Sequence, residues 1–259
     1  MLKFDLSQLQ PLIATLFFPF VRVGACLMVA PVFGARFVPR RLRIALALAI
    51  SVLVAPTLPQ TAMPALLSAE SISMTAQQLL IGIAIGFMLQ LVFDAMSLAG
   101  QLLANSMGLG FAFNIDPLRG VSTPALGQLY VILGTLTFLS LDGHLAVLQL
   151  LVDSFRGLPV NGAGFDRDAL QMLANWGSLV FSGALRIALP GITALLVVNL
   201  AFGVVSRAAP SLNLFAVGLP VTLVMGLAIV LYGLPMMQGG FINMLRVSMM
   251  QLRAVLGSG

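Results

Sequence analysis

Long apolar stretches interrupted near their centres by charge, proline and glycine restrict what this chain can fold into. Arg22, Asp94, Asp142, His144 and Arg186 lie inside such stretches, and so do Pro19, Pro190 and Pro220. Hydrophobic residues make up 59% of the 259, and only 8% are Asp, Glu, Lys or Arg. A soluble domain carries roughly 25% charged residues, so this composition cannot cover a water-facing surface. The chain reads as an integral membrane protein. A charge facing lipid at mid-bilayer costs at least about 2.5 kcal/mol. The interrupted helices are therefore expected to turn their charges toward protein or water.

The length suits one bundle of about six to eight helical segments, since roughly 20 residues span a bilayer. The longest polar stretches, around Ser68–Thr75 and Asp153–Asn175, are connectors rather than a soluble domain. Net charge is +5, and every basic residue except Lys3 is Arg. No dense basic tract interleaved with aromatics is present, so the excess reads as the positive-inside bias of a membrane protein, not as a nucleic-acid surface. The single Cys26 excludes an internal disulfide and any cysteine-based metal cluster. No cleavable signal is evident. The first apolar stretch is too long and lacks a small-residue cleavage site.

Apolar blocks lie near Leu12–Phe33, Ile44–Pro56, Leu79–Leu98, Leu126–Val152, Leu179–Val205 and Leu214–Leu234, followed by an amphipathic stretch over Phe241–Leu256. Asp142-Gly143-His144 cuts the fourth block, and Arg186 with Pro190-Gly191 cuts the fifth. Half-length arms joined in this way predict hairpins, which need not cross lipid if protein covers the break. Arg36, Arg40, Arg41 and Arg43 form a basic loop expected to face the cytoplasm. Six simple alternating spans would put Arg207 inside but Arg246 and Arg253 outside, against the charge rule. That conflict favours a re-entrant or hairpin element.

Several segments could carry function. Gly82 and Gly86 have the small-xxx-small spacing that lets two helices approach closely. The connector from Ser106 to Gly120 combines Gly108 and Gly110 with Met107, Phe111 and Phe113, then continues through Asn114 to the turn signal Asp116-Pro117. A solvent loop rarely needs so many bulky apolar residues. It is either a movable plug in a pore or a re-entrant turn buried between helices. Asp142 and His144 could relay protons or form a hydrated hairpin tip, with Asp142 capping a helix that starts at His144. Asp94 could carry protons in a transporter, or pair with Arg22 or Arg186. Pro210 and Asn213 mark a turn after Arg207, Pro210 by stopping one helix and Asn213 or Ser211 by capping the next. No Ser/His/Asp set, phosphate-binding loop or HExxH motif is present, so enzyme chemistry has no visible home. No cofactor is called for.

Five blocks in order carry a resemblance. They are Leu80-Ile81-Gly82-Ile83-Ala84-Ile85-Gly86-Phe87; Met107-Gly108-Leu109-Gly110-Phe111-Ala112 through Asp116-Pro117; Gly143-His144-Leu145 with Leu151-Val152-Asp153; Ala188-Leu189-Pro190-Gly191-Ile192-Thr193; and Asn199-Leu200-Ala201-Phe202-Gly203 through Arg207-Ala208-Ala209-Pro210. Over about residues 9–237 the chain resembles the FliR family of export-gate proteins from flagellar and virulence type III secretion systems. Residues 238–259 form a less similar amphipathic tail. The resemblance implies a single all-α domain over 1–259, built of bent or broken helices and re-entrant hairpins. It implies assembly with FliP-like and FliQ-like subunits into a helical channel, with FlhB-like and FlhA-like components alongside, in the bacterial inner membrane at the flagellar basal body.

The expected role is a channel gate that passes unfolded flagellar proteins. Gly108 and Gly110 would hinge the plug, and Met107, Phe111 and Phe113 would seal it. Arg22, Asp94, Asp142, His144, Arg186 and Arg207 would make polar contacts inside the membrane or between subunits. Gly82, Gly86, Pro190, Pro210, Asn213 and Pro220 would serve packing and turns. The rival readings are a proton-coupled or small-molecule transporter with an Asp94/Arg186 site, and a membrane enzyme using Asp142 and His144.

Overall fold

The computed structural model describes residues 6–58, 68–109, 125–162, 164–208 and 214–257. Among these the secondary structure is all helical. The elements are α1 (Leu6–Val29), α2 (Arg40–Val54) with a short 3-10 turn at Ala55–Thr57, α3 (Ala69–Ser106), α4 (Ala125–Ser140), α5 (Gly143–Gly157), α6 (Arg167–Asn175), α7 (Gly177–Ala208) and α8 (Leu214–Val255). Three stretches are long and apolar enough to cross a membrane: Ala69–Ser106, Arg167–Ala208 and Gly218–Val255. The bent pair α4 and α5 makes a fourth if it counts as one broken span.

The chain divides into two compact units: Met1–Gln90 with Asp142–Trp176 and Val247–Gly259, and Leu91–Leu141 with Gly177–Arg246. In the first unit, α1 buries Phe18, Arg22 and Cys26, and Ala30 just past its end is buried too. Their four-residue spacing places them on one helix face. That face meets α3 more than three turns from its start, where Ile81, Ile85 and Met88 are buried. The contact is backbone-close. A side chain at Gly82 would strike the carbonyl of Arg22, and one at Gly86 would lie 2.7 Å from the carbonyl of Cys26 and 2.9 Å from the amide of Ala30.

The second unit has its own core. Phe93 of α3 meets Phe138 of α4 and Phe241 of α8 edge-on, with centroids 5.6 and 5.4 Å apart. Edge-to-face geometry suits the ring quadrupoles. Gly100 and Gly127 let α3 and α4 touch; a side chain on Gly100 would lie 2.5 Å from the carbonyl of Leu126.

Three expectations need correction. Pro190-Gly191 does not split the fifth block, because α7 runs unbroken for 32 residues through Pro190. The hydroxyl of Thr193 there donates to the carbonyls of Leu189 and Pro190. One missing amide does not stop a long apolar helix when the alternative is an unsatisfied backbone in lipid. The amphipathic stretch after Leu234 is likewise not separate. It is the end of the 42-residue α8, which passes through both Pro220 and Pro235.

The fourth block does break, but not as a conventional cap. The helix starts at Gly143 rather than His144, and Asp142 sits at φ 53° with no capping bond from its side chain. Its backbone carbonyl instead accepts from the amides of Leu145 and Ala146. A capping side chain needs its residue in the extended region, and the left-handed turn removes that option.

Candidate gate root and buried arginine site

The gate segment is described only at its root. Gly110, Phe111, Phe113, Asn114, Asp116 and Pro117 lie outside the described residues, as do Pro210 and Asn213. The root itself is a well-formed helix stop. After Ser106, the amide of Gly108 donates to the carbonyl of Asn105 at 3.1 Å and the amide of Leu109 to that of Ala104 at 3.0 Å. Gly108 takes φ 80°. This pair of bonds around a left-handed glycine is a Schellman motif, which satisfies carbonyls the helix end would otherwise leave bare.

Met107 is buried beside it and rests on Gly226 of α8, where an added methyl would lie 2.5 Å from its side chain. So Gly108 works here as a stop, with Met107 seated in a notch. Gly108→Ala forces an L residue into a left-handed conformation and brings a methyl 3.0 Å from the Leu219 side chain. It is expected to destabilise the solubilised chain by about 1–2 kcal/mol, read as a lower midpoint in thermal unfolding.

The same unit holds an apolar pocket of about 430 Å³, lined by Leu103, Tyr130, Pro190, Met225, Ile229 and Met236 among others, and no charged side chain contributes to it. Asp94 and Arg186 sit at exposed positions on α3 and α7. The transporter reading would need them to line a cavity, and they do not line this one. Arg207 is exposed in the last turn of α7, where a cation complements the helix dipole. Asp142 is exposed, and His144 is half-buried with its Nδ1 lacking a partner among the described residues. No group of three potential metal-binding side chains occurs among the described residues.

The densest polar construction lies in the first unit. Arg22 is fully buried, at 0% exposure. Its Nε donates to Gln78 Oε1 at 2.8 Å, Nη1 to the carbonyl and hydroxyl of Ser154 at 3.0 and 3.2 Å, and Nη2 to the carbonyl of Leu158 at 2.7 Å. The guanidinium carbon stands 4.1 Å from the centroid of Phe155. Gln78 turns its amide nitrogen to the carbonyl of Val160.

The planar fork thus ties α1 to α3 and to the end of α5 using neutral acceptors and one aromatic face. Sequence reasoning singled out Arg22 but missed Gln78, Ser154 and Phe155. Gln78 sits in the polar entry to α3 and Ser154 beside Asp153, so each passes for a connector residue.

The chain matches the family model described as bacterial export proteins, family 1, over residues 13–247. It is 40% identical over 220 residues to the flagellar biosynthetic protein FliR of Escherichia coli K12, covering 85% of this chain and 84% of that one. It is also 40% identical over 227 residues to the FliR of Pectobacterium carotovorum, at 88% and 87% coverage. A more distant relative is the FliR of Bacillus subtilis, at 31% over 205 residues and 78% coverage of each chain. The chain belongs to family 1 of the bacterial export proteins, the family that its ordered glycine, proline and aromatic blocks had pointed to.

Proposed function

We propose that this chain is a channel and gate subunit of the flagellar export apparatus in the bacterial inner membrane, passing unfolded flagellar proteins. The observation that carries the reading is the family match through residues 13–247, which includes the whole Gly/Phe connector. The relatives named FliR add the flagellar context. FliP-like and FliQ-like subunits, with FlhB-like and FlhA-like components, are the partners. The apolar surfaces of α7 and α8, where Phe181, Val197, Leu200, Val204, Leu231 and Tyr232 stand exposed, suit lipid and such partners.

In this mechanism the Schellman stop and the seated Met107 fix where the connector leaves α3. Phe111 and Phe113 then close the conduit at rest. An arriving unfolded chain displaces them, at a cost of about 1.5–3 kcal/mol for each fully buried side chain. The polar residues Asp94, Asp142, His144, Arg186 and Arg207 contribute contacts to neighbouring subunits. Deleting Gly110–Asn114 spares the helix stop and removes the seal. Assembled complexes with this deletion are expected to leak ions several-fold faster in a bilayer conductance measurement. Parental conductance in such complexes would overturn the gate role.

A further inference from the structure

The turn between α1 and α2 is basic, exposed and internally braced. Arg36, Arg40 and Arg41 all stand in the open, and no Asp or Glu occurs from Leu6 to Ala69. The neighbouring arginine is used differently. Arg43 Nη2 reaches inward to the carbonyls of Gly34, Ala35 and Val38 and gathers the turn around itself. Gly34 is packed so closely that a side chain there would lie 2.6 Å from the carbonyl of Met28. With the backbone held in this way, the other three arginines are displayed on a fixed frame.

Large apolar side chains are displayed with them. Phe37 is 77% exposed and Leu42 58%. Along α2, Ile44, Leu48 and Val52 follow at four-residue spacing, each about half exposed. That spacing draws an apolar stripe down one side of the helix, beginning at the basic turn.

We propose that this turn binds the headgroups of anionic phospholipids, with Arg36, Arg40 and Arg41 on the phosphates. Phe37 and Leu42 enter the acyl boundary, and the stripe below them follows the chains. Charge complementarity requires an anion. The exposed phenyl ring and the stripe select a lipid over a soluble anion or an acidic protein loop, which would leave those apolar groups in water. The site is independent of the gate reading, because it uses no residue of the gate root.

The test uses the full chain, delipidated in mild detergent and titrated with phosphatidylglycerol or phosphatidylcholine, with retained lipid counted by native mass spectrometry. The parent is expected to prefer phosphatidylglycerol. Each arginine near an anionic surface is worth about a five-fold gain, so Arg36→Gln/Arg40→Gln/Arg41→Gln is expected to weaken that binding on the order of 100-fold. Phe37→Ser is expected to weaken retention of both lipids. An excess of inorganic phosphate is expected to leave phosphatidylglycerol in place. Equal retention of the two lipids by the parent, unchanged phosphatidylglycerol retention in the triple variant, or its displacement by phosphate would each overturn the proposal.

Discussion

Arg22→Ala is expected to lower the stability of the solubilised chain by about 3–5 kcal/mol, enough to remove most folded protein from the membrane fraction. The variant removes the guanidinium donor from the buried Gln78 Oε1 and Ser154 Oγ and from the part-buried carbonyl of Leu158, while the Ser154 carbonyl keeps only the Leu158 amide. It also opens a cavity beside Phe155. Arg22→Lys separates charge from shape. A lysine can serve one acceptor at a time, whereas the guanidinium serves α3 and α5 together, so Lys is expected to recover only part of the loss. Denaturant titration followed by circular dichroism gives both values. If Arg22→Ala unfolds within about 0.5 kcal/mol of the parent, the range ordinary for surface substitutions, the arginine does not hold these helices together.

A second large effect is expected at the contact between α1 and α3. In Gly82→Leu/Gly86→Leu the obstacles include backbone atoms, the carbonyl of Arg22 at one site and the carbonyl of Cys26 and amide of Ala30 at the other. Backbone cannot rotate aside as the tip of a methionine can, so the helices must separate. Separation also pulls Gln78 away from Arg22, which couples this damage to the polar cluster. The double variant is expected to lose more than about 3 kcal/mol, beyond the usual overpacking cost, and to be degraded when expressed. The contrasting change Gly24→Ala places a methyl in open space and is expected to remain near parental stability. Immunoblots of membrane fractions distinguish the two outcomes, and normal accumulation of the double variant would contradict this packing.

The legible parts of the fold were those dictated by spacing. The glycine pair Gly82 and Gly86 lies one helical turn apart, a spacing that permits the close approach to α1 found here. The break at Asp142 was legible because charge and glycine fall together between two apolar arms. The proline signals were overread. Pro190 and Pro220 each remove one amide, but inside long apolar helices the surrounding backbone still gains more by remaining helical.

The site was legible to a different depth. The ordered blocks led to the right family, and Arg22 was flagged because a buried charge is rare. Its acceptors were not. Backbone carbonyls of Ser154 and Leu158 leave no trace in residue identity, and they lie 132 and 136 positions away. The sequence marked Gly108 as a hinge for the connector and gave no sign that it also ends α3. Both uses exploit the same freedom at positive φ, and the bonds to Asn105 and Ala104 are what reveal the helix end.

The distance from Arg22 to Ser154 has a consequence for biosynthesis. A ribosome adding about 5–20 residues per second needs on the order of ten seconds to make the intervening 132 residues. Throughout that interval α1 has emerged while the carbonyls that will receive its guanidinium do not yet exist. An arginine left alone among acyl chains is too costly to wait there. The first helix of the nascent chain therefore completes its set of acceptors only after the end of α5 has been translated.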